Sequence, residues 1–291
     1  MLKQIAIAGA ALIAIGGLGL GVMAATGHTS GFSFSINDSS GLSIIGHNLS
    51  GHSVQKQQTV DAGNAKSVTV DASIAAIRLY PANTQKATVT LSGSTTIPDS
   101  ELQLTSKLTG QTLQIRLKEP NTSGIGQNIN LKLDVSVPQH LYDNLDVHAN
   151  VGSISIEKVN SKQMTVHVST GKIDVKNLHS AVTATSNVGK VAVTNVTGPL
   201  HLTANTGAVN VQEKTLTDNI DASTNTGAVS ISSDKDPKNL SFDLSTSLGA
   251  VNVGLPGVNY AEQSKRHLQG TIGQGGPTIH ASSDLGSVSL E

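Results

Sequence analysis

The acids and imidazoles that could do chemistry in this chain recur at fixed intervals instead of clustering in one local motif. Asp221 and Asp243 occupy equivalent positions of successive repeats, with Asp146 and Asp174 in others. On neighbouring strands two such carboxylates would lie about 4.8 Å apart and repel unless a cation or solvent intervened. Calcium takes roughly six to eight oxygens, more than this pair supplies, so solvated surface aspartates are the plainer expectation. His148 and His167 invite a metal reading in the same way, because each stands four residues before a repeated glycine and their rings should share one face. Their column continues as Thr185, Thr203, Ser223, Ser245 and Ser282, which reads as an exposed polar ladder. Two imidazoles without a third ligand make a weak metal site.

Glycan-cleaving chemistry would need clustered carboxylates, usually with a basic partner. Arg78, Arg116 and Arg266 are the only arginines, and none falls in the repeats that carry Asp221 and Asp243. No basic partner is therefore expected beside those acids. The absence of cysteine excludes thiolate catalysis, disulfides and Cys-type zinc sites. Tyr80, Tyr142 and Tyr260 are too few and too scattered to form a sugar-stacking platform. No catalytic, cofactor-binding or metal-binding residue is assigned, and the chain is expected not to be an enzyme.

Composition narrows the scaffold that must carry these residues. The 291 residues contain three Phe, three Tyr and no Trp, while 37% are apolar. Beyond the N-terminus the apolar residues are chiefly Val, Ile, Leu and Ala, which suit thin, half-buried β-layers. With 13% charged residues and a net charge of −1, the chain has neither the footprint of a nucleic-acid binder nor a polybasic patch for anionic lipid.

Period-two runs mark strands with one buried face at Ser67–Asp71, Ala87–Leu91, Thr112–Leu117 and Asn130–Val135. A repeat then takes over. Asn150-Val151-Gly152-Ser153-Ile154-Ser155-Ile156 recurs around Gly171, Gly189, Gly207, Gly227, Gly249 and Gly286, with glycine steps of 19, 18, 18, 20, 22 and 37. The last step reads as about two periods with a divergent copy between. Seven residues before each glycine stand Leu145, Met164, Val182, Leu200, Ile220, Phe242 and Ile279, and five before stand Val147, Val166, Ala184, Leu202, Ala222, Leu244 and Ala281. The column between them is polar: Asp146, Thr165, Thr183, His201, Asp221, Asp243 and His280. Apolar residues return two and four positions after the glycine. Each repeat is thus a coil of strand, glycine turn, strand and loop. The seven glycines are structural turn residues, placed where φ must be positive.

Columns that repeat residue for residue favour a parallel β-solenoid over a sandwich, because equivalent positions of stacked coils then touch like on like. Parallel crossovers are nearly always right-handed, so a right-handed all-β solenoid is expected. The phrase Asn205-Thr206-Gly207-Ala208-Val209-Asn210-Val211 and its siblings resemble the bacterial adhesin-type β-helix domain family over about residues 60–291, most strongly from Leu145 onward. The resemblance implies a cell-envelope protein, commonly with an N-terminal membrane segment and without an established catalytic activity.

The N-terminus agrees with that implication. Lys3 precedes an uncharged apolar stretch, Ile5 to Ala25, long enough as a helix to span a bilayer. The positive-inside rule keeps Lys3 cytoplasmic and sends everything after Thr26 outside. The segment serves either as an uncleaved anchor or, if cut near Val22-Met23-Ala24, as a signal peptide. The expected division is residues 1–27 as anchor or signal helix, 28–58 as a polar stalk with one short strand pair, and 59–291 as the solenoid. The expected function is a surface scaffold or adhesin that binds an envelope polymer or protein, without cofactor or nucleic acid. The alternative is an envelope-stress or signalling accessory acting beside membrane partners. Ser287–Leu290 reads as the final rung, whose open edge would be available for self-association.

Overall fold

The computed structural model describes residues 33–37 and 41–45 as backbone, and residues 51–120 and 128–291 in full. The apolar segment from Ile5 to Ala25 lies outside these residues. Among the described residues all regular structure is strand. No helix among them is long and apolar enough to cross a membrane.

β1 (Ser33–Asn37) and β2 (Gly41–Ile45) form the short antiparallel pair. The main body opens with β3 (His52–Asp61), β4 (Ser67–Ala82), β5 (Lys86–Thr95), β6 (Gln103–Thr109), β7 (Thr112–Lys118) and β8 (Ile129–Pro138). Next, β9 (Tyr142–Glu157), β10 (Ser161–His179), β11 (Ala181–Thr197) and β12 (Leu200–Glu213) each run unbroken through the glycine corner of one coil. The coil of β13 (Ile220–Thr226) and β14 (Val229–Ser233) is interrupted at its glycine, as is that of β15 (Leu240–Leu248) and β16 (Val251–Val253). β17 (Val258–Gln263) and β18 (His267–Ile272) follow, and β19 (Thr278–Leu285) with β20 (Val288–Leu290) completes another coil.

The coils stack in parallel and in register, Leu145 beside Met164 beside Val182 beside Leu200, and Gly152 beside Gly171 beside Gly189 beside Gly207. Strand halves before the glycine make a first sheet, and halves after it make a second. The apolar columns of both point inward: Val166, Val168, Ile173 and Val175 of β10 are all buried. Each such side chain contributes roughly 1.5–3 kcal/mol by leaving water, so a single coil carries a substantial share of the core.

The corner joining the sheets explains why glycine recurs. The seven repeat glycines have φ between 137° and 155°, in a region that side chains rarely enter. Stacking adds a second constraint, since a Cβ on Gly207 would overlap the Gly189 carbonyl oxygen, and one on Gly189 that of Gly171. Three residues before the glycine a buried hydroxyl often satisfies that same carbonyl. Thr224 donates to Gly207 O at 3.3 Å, Ser283 to Gly227 O at 3.0 Å and Thr246 to Gly286 O at 2.8 Å. A second corner follows the second sheet at Lys158, Asn177 and Asn195, with φ of 59°, 55° and 52°. Asn195 Nδ2 there donates to Asn177 Oδ1 at 3.3 Å.

The rungs differ from the sequence-based expectation in three respects. The stack begins earlier: β4 is itself a coil, with Ala75 beside Gly152 and Ile77 and Leu79 beside Ile154 and Ile156. Its outer flank is covered by β7 and β8, which pair with its two halves. The long glycine step contains no divergent coil, because residues 258–272 form the antiparallel hairpin β17–β18, laid against β15. Finally, the coils do not stack in sequence order. β19 and β20 insert between the β13–β14 coil and the β15–β16 coil. Ser287–Leu290 is therefore not the final rung: β20 is paired on both sides, and the open edge foreseen there is already filled within the chain.

Candidate functional site

The outer face of the first sheet carries three parallel rows of polar side chains, lying six, four and two residues before the glycines. Alternation along each strand turns these positions outward while their neighbours fill the core. Thr165 and His167 of β10, for example, flank buried Val166.

The rung order decides what the rows contain. In the row six before the glycine, register places His201 beside Asp221, Asp221 beside His280, and His280 beside Asp243. Four strands in succession thus alternate imidazole and carboxylate. His201 Nδ1 lies 3.0 Å from Asp221 Oδ2, and His280 Nδ1 lies 4.0 Å from Asp243 Oδ2. The hairpin extends the network: Asp243 Oδ1 lies 2.9 Å from His267 Nε2, whose Nδ1 lies 3.0 Å from Glu262 Oε1. With a carboxylate on each nitrogen, His267 can satisfy both only as the doubly protonated imidazolium. Its bonds to Asp243 and Glu262 accordingly hold its pKa above the usual histidine value.

Asp221 and Asp243 are consequently not stacked neighbours. The inserted β19 puts His280 between them and removes the expected carboxylate repulsion. The acids also have basic partners, which are histidines and not arginines. His201 and His280 were visible in the polar column, though their adjacency was not. His267 and Glu262 lie on a hairpin outside the repeat, so no column could register them.

His148 and His167 do meet. Their rings stack with centroids 5.0 Å apart and planes 12° from parallel. Partial burial, and secondarily the neighbouring His148, lowers the His167 pKa. Beside His148 in register stands Asp71, which pairs with Arg116 at 3.4 Å. Among the described residues no three His, Asp or Glu side chains converge as a metal site. In the His267 network the two carboxylates approach opposite edges of one ring, a geometry that leaves no shared point for an ion.

Two open depressions mark this face. One, of about 460 Å³, crosses the strand starts of β11, β12, β13 and β19, with Val182, Pro199, Leu200 and Ile220 along it and His201 and Asp221 at its rim. The other, of about 240 Å³, lies toward β6 and β7 and is lined by Lys107, Arg116, Lys118, Gln103 and Thr105 among others. The tyrosines join neither. Tyr142 is buried and donates to Pro138 O at 2.7 Å, Tyr80 sits under Arg78, and Tyr260 packs edge-on against Phe242.

A family model described as Toastrack DUF4097 matches residues 65–187 and again residues 179–291. No curated protein matches the chain. Similar solved structures include a putative cell adhesion protein from Clostridium sporogenes ATCC 15579, with 9% identity and a TM-score of 0.31 over 82% of this chain and 99% of that one. A putative adhesin from Bacteroides fragilis NCTC 9343 has 11% identity and a TM-score of 0.39 over 82% and 97% of the two chains. A putative lipid binding protein from Parabacteroides distasonis ATCC 8503 has 13% identity and a TM-score of 0.37 over 81% and 96%.

Proposed function

The chain belongs to the Toastrack DUF4097 family, and from that premise we propose a non-catalytic, adhesin-like scaffold on the outer side of the cell membrane that binds a hydroxyl-rich envelope polymer. In this reading residues 1–27 anchor or export the chain, residues 28–58 are a stalk, and residues 59–291 form a right-handed solenoid. The single observation that carries the reading is the alternation of imidazole and carboxylate across β12, β13, β19 and β15. A sugar hydroxyl both donates and accepts, so it is matched by a row that offers both functions. The same group returns every second rung, roughly 10 Å along the axis, so a linear polymer of similar repeat could make the same contact repeatedly. The groove beside His201 and Asp221 gives such a chain an apolar floor.

The test compares the full wild-type chain with the His201→Ala/His280→Ala double variant in binding to purified wall polysaccharide. Ser155→Ala/Ser230→Ala, on the outer face of the second sheet, serves as control. Loss of two hydrogen bonds predicts about ten-fold weaker binding for the first variant and no change for the second. Equal binding by all three proteins would refute the assignment of this face.

A further inference from the structure

We propose that the groove across β6, β7 and β4 binds a linear phosphodiester polymer, laying one phosphate against each of three successive outward levels of the strands. Alternation turns Leu113, Ile115 and Leu117 of β7 into the core and presents Gln114, Arg116 and Lys118. Register sets Lys107 of β6 opposite Gln114, Thr105 opposite Arg116 and Gln103 opposite Lys118. Each level therefore holds one cation beside one neutral hydrogen-bonding side chain. Levels two residues apart are spaced about 7 Å along a strand. A phosphodiester chain with a short polyol linker has a charge repeat of that size, and its hydroxyls suit the glutamines and the threonine.

The charges are available to such a chain. Arg116 Nε lies 3.4 Å from Asp71 Oδ2, and both side chains remain exposed. Lys107 and Lys118 are exposed, and among the described residues neither has a carboxylate partner. Glu119 turns away, its Oε1 accepting from Ile74 N at 3.3 Å. Asp146 stands one strand beyond Thr69, outside the groove. Three cations thus face one acid in a chain whose net charge is −1.

The lining also selects the kind of anion. No aromatic side chain stands among the described residues of the groove, so nucleic-acid bases would find no stacking partner. Ile115 is its one apolar residue and is buried, so nothing here would insert into a lipid surface. Asp71 stands beside His148, which puts the groove on the same outer face as the imidazole–carboxylate row. The choice of an envelope polymer as the source of phosphate rests on the proposed function, whereas the charge of the groove does not.

The test measures binding of the full chain to polyglycerol phosphate. Lys107→Gln/Lys118→Gln is compared with Lys235→Gln/Lys238→Gln, which removes the same charge from the loop between β14 and β15. Loss of two exposed ion pairs predicts about ten-fold weaker binding for the first variant and no change for the second. Lys107→Arg/Lys118→Arg should bind as the wild type does. Weaker binding by Lys107→Gln/Lys118→Gln supports the groove whether or not His201→Ala/His280→Ala alters binding to wall polysaccharide, so the two readings fail separately. Absence of binding by the wild type, or equal binding by the two glutamine variants, would overturn the proposal. So would equally tight binding, at equal phosphate concentration, of inorganic phosphate, a single-stranded oligonucleotide or anionic phospholipid vesicles.

Discussion

Among the described residues Glu213 is the one acid that the fold buries almost completely. Both carboxylate oxygens accept from the Val196 N–H, at 3.1 and 3.0 Å, where the chain leaves the coil and no strand covers that donor. Burial pushes its pKa up to about 7, and neighbouring Asp218 adds to the rise. A carboxyl whose pKa is raised by folding favours the folded state most below its ordinary value, and that contribution disappears as pH climbs through the folded pKa. Stability should therefore fall between pH 5 and 8 by on the order of 2 kcal/mol. His267, also raised, acts in the same direction near its own pKa. Glu213→Gln should flatten most of the dependence, as measured by urea unfolding at the two pH values. An unchanged slope in the variant would exclude Glu213 as its source. None of this was legible in the sequence, where Glu213 falls in the variable loop between repeats. The glycines were legible, because one missing Cβ at one column has few explanations. The buried hydroxyls of Thr224, Thr246 and Ser283 were not, since a polar residue in an inward column looks like an interruption until its carbonyl partner is located.

Coils, taken one at a time, were readable from the spacing of apolar pairs around each glycine, and so were the strands at Ser67, Ala87, Thr112 and Asn130. Their order in space was not. Ile220, Phe242 and Ile279 are equivalent in pattern, and nothing local to Ile279 says that it packs against Ile220 as well as Phe242. The hairpin β17–β18 deceives for the same reason, because its alternation matches that of a coil. Its fit is visible only in three dimensions, where Gly270 stands opposite Phe242 and leaves room for the ring. This order decides where a proline is tolerated at this end of the stack. Val288→Pro removes the donor to Ala250 O from a strand paired on both sides, and should cost about 3 kcal/mol or more. Val253→Pro removes a donor that faces outward and should cost no more than about 1 kcal/mol. Chemical denaturation of the two variants distinguishes them. Similar losses would mean that β20, not β16, bounds the stack.

For the molecule as a whole, the candidate face and the partnering of Asp221 and Asp243 with histidine depend on one feature: the β19–β20 coil lies between coils that precede it in sequence. Stacked in sequence order, the same residues would set Asp221 against Asp243 and leave Ser287–Leu290 exposed. Solenoid architecture was legible because seven copies of a weak motif reinforce each other, but rung order leaves no trace in a repeat whose copies are nearly interchangeable. The feature can be measured in the full, cysteine-free chain by oxidising pairs of introduced cysteines and counting free thiols. Register places Ser223 beside Ser282, and Ser282 beside Ser245. Neighbouring strands are about 4.8 Å apart and alternate ones about 10 Å, so only neighbours can be bridged without moving the backbone. Ser223→Cys with Ser282→Cys should close an intramolecular disulfide, and Ser223→Cys with Ser245→Cys should not. A bridge in the second pair and none in the first would contradict the inserted coil, and with it the site built upon it.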